Sequence, residues 1–183
     1  LNVGGANTYR IDASNVNTTT GTINGLVTLI TGNGFTGNYD DVRFGGANVF
    51  NGLTVNTDDS VVFAAGATVD SNGPVTFTSD TNTATVGYLA MSDNSWLKSN
   101  GGNVTVDTLQ VIIGDNAYID AEGGNIDINN DGVFVTADAG SLRTGGTGTI
   151  SLHQWDDTVT LLGTLSGLEI FGSVANAVSA FAN

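Results

Sequence analysis

The chain has 183 residues, which fits one domain. Its formal net charge is −14 and its four basic residues are scattered, which disfavours nucleic acid and anionic membrane surfaces as partners, because both bind clustered Lys and Arg. The absence of Cys excludes disulfide bonds, thiolate metal sites and cysteine nucleophiles.

Hydrophobic residues make up 40 % of the chain and charged residues 12 %, so a core can form under a surface of Asn, Thr, Ser and Gly. This composition is common among exported bacterial proteins. The longest apolar runs fall well short of the roughly 20 residues of a membrane helix, so we expect no membrane insertion. The acidic surface favours divalent cations, with calcium as the candidate cofactor.

Residues 1–40 are rich in Thr and Asn and carry only a weak repeat. Gly4-Gly5-Ala6-Asn7 and Gly45-Gly46-Ala47-Asn48 are distant copies of a motif that is clearer further along the chain. We therefore predict an N-terminal cap or irregular coils over 1–40, followed by regular coils over 41–158.

The regular coils are predicted from strand patterns and glycine spacing. Leu53-Thr54-Val55 and Val75-Thr76-Phe77 alternate apolar and polar residues, which is typical of half-buried strands. Gly-Gly pairs recur at an even interval, at positions 101–102, 123–124 and 145–146. A fixed period of this length indicates stacked repeats, each of which buries its apolar face against its neighbours.

Four apolar anchor residues, Val69, Leu97, Ile119 and Leu142, follow the same repeat. The step from Val69 to Leu97 is longer than the two steps that follow it, which are nearly equal. This longer first step predicts an insertion of about six residues, near residues 79–83.

Together these patterns predict an all-β fold, a parallel β-helix of about eight coils with roughly 22 residues each. At the spacing of neighbouring strands, eight coils would form a rod of roughly 40 Å. Val, Ile, Leu and Phe would point inward, and the Gly-Gly pairs would turn the same corner in successive coils. The whole of 1–183 would be a single β-solenoid domain.

Residues 159–183 are unusually apolar, and Val174, Val178 and Phe181 fall at helical spacing. A solenoid has to protect its open ends, because exposed strand edges invite pairing with another chain. This tail is therefore predicted to be a C-terminal cap, or alternatively an assembly segment.

The pattern in residues 119–128, an apolar residue followed by Gly-Gly and an alternating strand, resembles the coils of filamentous-haemagglutinin-type adhesins and autotransporter passengers. The resemblance covers residues 67–152. It implies a right-handed parallel β-helix that is secreted to the bacterial surface and serves in adhesion, biofilm or fibre building. It carries over no catalytic residue.

One segment matches a calcium-binding loop. Asp127, Asn129 and Asp131 occupy positions 1, 3 and 5, Gly132 occupies position 6 and Asp138 position 12 of an EF-hand-like pattern. The segment lacks flanking helical patterns, and Asp127 falls in a predicted strand. The alternative is a solenoid coil with an Asn-Asp-Gly turn.

Three adjacent acidic pairs, at 40–41, 58–59 and 156–157, are predicted to be solvated turns. Calcium bridging between coils or subunits stays open for Asp58, Asp59, Asp156 and Asp157. His153, the single histidine, is predicted to be a surface residue without a catalytic role.

Two sets of side chains occupy matching coil positions. Trp96 and Tyr118 each precede an anchor residue, which predicts a stacked aromatic ladder or, alternatively, a glycan contact. Asn103 and Asn125 also match and are predicted to form a hydrogen-bonded ladder along the stack. Threonine ladders of the ice-binding kind are not expected, because the Thr clusters at 18–20 and 81–85 do not recur at the coil period.

These features predict an extracellular structural or adhesive subunit without enzymatic activity. It would build or decorate a bacterial surface filament or biofilm matrix, and self-associate end to end through terminal strands. The alternatives are a glycan-binding β-helix module of a larger adhesin, which would contact glycans or cell surfaces, and a polysaccharide lyase.

Overall fold

The computed structural model describes residues 1–4, 10–18, 25–32, 40–79, 87–130, 134–136, 140–154, 169–171 and 178–182. Within these residues the backbone forms twenty β-strands and no helix. The prediction of an all-β fold is therefore confirmed.

The strands belong to three parallel sheets. Sheet A contains eight: β1 (Asn2–Gly4), β3 (Val27–Ile30), β6 (Leu53–Asn56), β9 (Val75–Thr78), β12 (Val104–Thr108), β15 (Ile126–Asn130), β18 (Ile150–Gln154) and β20 (Val178–Ala182). Sheet B contains six: β2 (Arg10–Ser14), β4 (Asp41–Gly45), β7 (Ser60–Phe63), β10 (Tyr88–Met91), β13 (Gln110–Ile113) and β16 (Phe134–Thr136). Sheet C contains six: β5 (Ala47–Phe50), β8 (Thr68–Ser71), β11 (Trp96–Ser99), β14 (Tyr118–Asp120), β17 (Ser141–Arg143) and β19 (Glu169–Phe171).

The chain visits sheets A, B and C in turn, so each turn of the solenoid supplies one strand to each sheet. Five turns among the described residues are complete, from β3–β4–β5 to β15–β16–β17. The predicted number of eight coils is therefore wrong. Beyond these five turns, the described residues show a strand on only one or two of the three faces. Sheet A gains most from these incomplete turns and is the one sheet that reaches eight strands.

Unequal coil lengths account for part of the error in the coil count, and the incomplete outer turns account for the rest. One ladder of sheet A joins Val27, Leu53, Val75, Val104, Ile126, Ile150 and Val178. The step from Val104 to Ile126 is among the shortest in this ladder, and the step from Val75 to Val104 is the longest. Because the coils differ in length, the even spacing of the Gly-Gly pairs does not predict the lengths of the coils towards the two ends of the chain.

The predicted alignment of the anchors is confirmed. Val69, Leu97, Ile119 and Leu142 are register partners in one ladder of sheet C. The long step from Val75 to Val104 contains the connection between β9 and β10, where the insertion was predicted.

The core consists of the inward-facing residues of all three sheets, which alternate with half-buried outward residues. Four phenylalanine rings, at Phe44, Phe50, Phe63 and Phe77, pack against one another in edge-on, tilted and stacked contacts, with centroids 5.1–6.4 Å apart. Aromatic contacts of this kind add to the free energy gained by burying the rings. The parallel strands therefore enclose a continuous apolar interior.

The Gly-Gly pairs turn one corner of the solenoid, as predicted. Each pair lies between a strand of sheet C and the next strand of sheet A. At the third pair, Gly145-Gly146, the connection from sheet C to sheet A is longer. Gly148 rather than Gly146 therefore lies against Gly124. Backbones approach closely at this corner, which is why side chains are missing there.

The apolar tail contains two strands in its described residues. β19 pairs with β17 and β20 pairs with β18. Val178 and Phe181 lie in β20, so their helical spacing does not correspond to a helix, whereas Val174 lies outside the described residues. The boundaries of the N-terminal, central and C-terminal regions stay predictions.

Candidate functional sites

The calcium-loop prediction falls partly on strand β15, which contains Asp127 and Asn129. Two residues apart on a strand, these side chains lie on the same outer face of sheet A. Asp127 Oδ1 lies 3.1 Å from His153 Nε2 on the neighbouring strand, in a contact without hydrogen-bond geometry. Asp131 and Asp138 lie outside the described residues, so calcium binding by this set stays a prediction.

His153 lies on β18 with a third of its side chain exposed. Its register partners are Asn129 on β15 and Phe181 on β20, and Asp127 is the acidic group that it contacts. In the described ranges, no three acidic or histidine side chains gather around one possible metal position.

The acidic pairs at 40–41 and 58–59 are buried, which overturns the prediction of solvated turns. No member exposes more than 9 % of its surface: Asp40, Asp41, Asp58 and Asp59. They are buried because both pairs lie at the corner where the chain passes from sheet A to sheet B in two successive turns. The third pair, at 156–157, lies outside the described residues.

We call this corner, formed by residues 31–32, 40–41 and 57–59, the acidic corner. The hydroxyl of Thr31 lies 2.6 Å from the Asp40 carbonyl oxygen and 2.7 Å from the Thr57 hydroxyl. The Thr57 hydroxyl also contacts the Asp40 carbonyl oxygen. The Asp40 backbone N–H donates to Asp59 Oδ2 at 2.9 Å. Oxygen atoms from three separate segments therefore meet at one buried point.

Asp59 is the electrostatically unfavourable member of the acidic corner. Burial, above all, raises the pKa of Asp59; the N–H of Asp40 lowers it, and the nearby charges of Asp41 and Asp58 raise it further. Asp59 Oδ1 is buried and has no hydrogen-bond partner. Asp41, in contrast, accepts two hydrogen bonds from the guanidinium of Arg43, at 2.7 and 3.0 Å.

The predicted match between Trp96 and Tyr118 is confirmed as a stacked pair on the outer face of sheet C. The ring centroids are 5.8 Å apart and the planes differ by 6°. The guanidinium of Arg143 lies over the Tyr118 ring, 4.0 Å from its centroid. Stacking against a sugar needs a free ring face, and Tyr118 is in ring contact with both Trp96 and Arg143, so this geometry favours the ladder.

A second column on the same face alternates in charge from strand to strand. Its register partners are Asp70, Lys98, Asp120 and Arg143. Lys98 also forms an ion pair with Glu122, and this hydrogen bond raises the pKa of Lys98. Two of the four basic residues thus lie on this face and offset part of its negative charge.

An open groove of about 510 Å³ borders this charged column. It is lined by Asp120, Glu122, Arg143, Thr144 and Gly145. Two carboxylates and a guanidinium offer both hydrogen-bond acceptors and donors, which is the chemistry that recognises polyhydroxylated ligands.

Asparagine side chains form two ladders along the stack. Asn103 Oδ1 accepts from the N–H of Asn125, and Asn125 Oδ1 accepts from the N–H of Thr149, both at 3.0 Å. This confirms the predicted structural role of Asn103 and Asn125. A second ladder was not predicted: Asn72 donates to Asn51, and Asn100 donates to Asn72.

The outer face of sheet A carries a threonine column that was not predicted from the sequence. Thr28, Thr54, Thr76 and Thr105 are register partners on four consecutive strands. The signal for this column is the threonine in the polar position of each alternating strand, outside the Thr clusters at 18–20 and 81–85. The adjacent column holds Ile30, Asn56, Thr78 and Asp107, so the face is mixed rather than a regular threonine array.

No family model, curated protein or solved structure matches the chain. The resemblance to bacterial surface adhesins therefore stays a prediction. In the described part of the chain, no helix has the length and apolarity needed to cross a membrane.

The two ends of the solenoid present the edge strands of sheet A, β1 and β20. Large exposed apolar side chains cluster at the β1 end: Leu1, Val3 and Leu26 are 56 %, 38 % and 50 % exposed. Among the described residues, Ile112 on the outer face of sheet B is the other large apolar side chain that is exposed.

Proposed function

We propose that the chain is an extracellular structural or adhesive subunit, a right-handed parallel β-helix that builds or decorates a bacterial surface filament or biofilm matrix. Its units would join end to end through terminal strands. The observation that carries the proposal is that one continuous parallel sheet, sheet A, ends in an edge strand at each end of the stack. Edge strands offer unpaired backbone groups as a template for another chain.

The hydrogen-bond pattern of β1 indicates which groups are offered. The N–H of Thr28 donates to the Leu1 carbonyl at 2.7 Å, and Asn2 is the register partner of Thr28. In a parallel ladder, the N–H and C=O of Asn2 then point away from β3, towards the open edge. A strand of a second copy could pair there and cover the exposed apolar side chains of Leu1, Val3 and Leu26.

The first test is electron microscopy of the purified chain, with and without millimolar calcium, alongside sedimentation at increasing protein concentration. Filaments or a concentration-dependent series of oligomers are expected. Isolated short rods in both conditions would contradict end-to-end joining and favour a binding module.

Three variants test whether the solenoids associate through the β1 end. Asn2→Pro removes a backbone donor from the open edge without removing a bond to β3, and Val3→Lys places a charge on the apolar end. Both should leave the chain folded and monomeric. Ile112→Lys changes the exposed apolar residue on the side of the solenoid and should associate like the wild type. Equal loss of association in all three variants would instead indicate lateral contacts.

The alternative function is glycan binding by a module of a larger adhesin, and the groove beside Arg143 favours it. A glycan-array screen of the wild type against Glu122→Gln tests this directly, since that substitution keeps the side-chain size. Signals lost in the variant would support the alternative. A lyase would need a basic residue beside an acidic cluster, which Arg43 beside Asp41 would have to supply. This alternative has less support, because the hydrogen bond to Asp41 raises the pKa of Arg43 and makes the neutral form that a general base requires less available.

A further inference from the structure

The acidic corner concentrates buried negative charge. Its four aspartates, Asp40, Asp41, Asp58 and Asp59, are buried, and one carboxylate oxygen of Asp59 has no hydrogen-bond partner. Burying a carboxylate without compensation is costly, so such a group takes up a cation or a proton. The charge of this corner therefore favours a bound positive species.

The atoms of the corner favour a hard cation. A buried carboxylate oxygen, Asp59 Oδ1, lacks a hydrogen-bond partner. Around Asp59 lie neutral oxygens, namely the Asp40 carbonyl and the hydroxyls of Thr31 and Thr57, which are already in mutual contact. Two contacts tie Asp59 to them: its Oδ2 accepts from the N–H of Asp40, and its own N–H donates to the Thr57 hydroxyl at 3.3 Å.

We propose that the acidic corner binds one calcium ion, with Asp59 Oδ1 as the charged ligand and the oxygens of Asp40, Thr31 and Thr57 as neutral ligands. Because no three acidic or histidine side chains converge among the described residues, neutral oxygens have to supply most of the coordination. Calcium accepts carbonyl and hydroxyl oxygens in flexible geometry, whereas magnesium keeps several waters that a buried corner cannot hold.

The ion would act as a clamp between coils. Its ligands follow β3, precede β4 and lie between β6 and β7, so they belong to two successive turns. Binding would therefore stabilise the early coils, whether or not the solenoids join end to end. This inference is independent of the proposed assembly.

Calorimetric unfolding and isothermal titration test the proposal, both on the Asn2→Pro chain at low concentration so that association does not contribute. At a calcium concentration about a hundred times the Kd, Tm should rise by about 5 °C or more relative to EDTA. Magnesium at the same concentration should give a much smaller rise. Absence of a calcium-dependent shift and of binding heat would overturn the proposal.

Substitutions assign the site. Asp59→Asn should lose most of the calcium-dependent shift while remaining folded in EDTA, whereas the exposed control Asp115→Asn should keep it. Asp127→Asn removes a carboxylate of the EF-hand-like loop. This variant should also keep the calcium-dependent rise in Tm, which distinguishes the acidic corner from that loop. A full calcium response in Asp59→Asn would refute the assignment. So would a wild type that responds to acid but not to calcium, because the corner would then hold a proton.

Discussion

At the scale of single residues, the corner glycines show how closely the coils approach each other. Gly102 and Gly124 lie one above the other where sheet C passes into sheet A. A Cβ atom on Gly124 would lie 2.2 Å from the carbonyl oxygen of Gly102, which is backbone and cannot move aside. Because the two backbones lie so close together, position 124 requires glycine. A Cβ atom added to Gly25, in contrast, would lie in open space.

We therefore expect Gly124→Ala to lower the free energy of unfolding by about 1–3 kcal/mol, as overpacking does. Thermal unfolding should show this as a fall in Tm of roughly 2–10 °C. Gly25→Ala is the matched control, and its Tm should stay the same or rise slightly. Equal Tm values for the two variants would show that the corner can widen without cost.

At the scale of elements, sheet C is stabilised on its outer face by side chains that interact across strands. The stacked rings of Trp96 and Tyr118 lie beside a column of alternating charge that contains Lys98. Opposite charges on neighbouring strands attract each other, although partial exposure reduces each contribution. This face compensates locally for the strongly acidic composition.

The ion pair of Lys98 with Glu122 gives a pH-dependent prediction. The pKa of Lys98 is raised in the folded state, so the stabilisation is fully present below its ordinary value and is lost as pH rises through the raised pKa. Because both side chains are about a third exposed or more, Lys98→Gln should cost at most about 1 kcal/mol at neutral pH.

The Tm difference between wild type and Lys98→Gln should stay constant from pH 7 to 9 and shrink above about pH 10. Lys98→Arg keeps the charge and should retain the stability. A Tm difference that is unchanged at high pH would mean that Lys98 contributes through packing rather than through its charge.

At the scale of the whole molecule, net charge opposes assembly. Each chain carries a formal charge of −14, so two solenoids that approach end to end repel each other. Salt screens this repulsion over a distance that shortens from about 30 Å at 0.01 M to about 8 Å at 0.15 M. Pairing of edge strands and burial of apolar side chains depend much less on salt.

Association of the wild-type chain should therefore strengthen as NaCl rises from about 0.01 M to 0.15 M, because the repulsion between the chains is screened over a shorter distance. Sedimentation velocity measures this as a larger oligomeric fraction at fixed protein concentration. The Val3→Lys variant should stay monomeric at both salt concentrations. Association that weakens with added salt would indicate contacts between opposite charges instead of joined strand edges.

Local patterns in the sequence were sufficient to predict strands, parallel stacking and the ladder of Val69, Leu97, Ile119 and Leu142. Alternating polarity and regular spacing are properties of neighbouring residues, so they can be recognised without coordinates. The coil count could not be predicted in this way, because the coil that begins at Val75 is longer than the coil that begins at Val104, and no common period fits both.

Only the tertiary structure decided which side chains of different coils share a face and which acidic residues are buried. A shift of one residue between strands exchanges inner and outer faces, so the charged column of Asp70, Lys98 and Asp120 depends on the register of each coil. Asp58 and Asp59 look like an exposed turn in sequence, but two successive corners of the solenoid bring Asp59 against Asp40 and Asp58 against Gly32, so that both are buried.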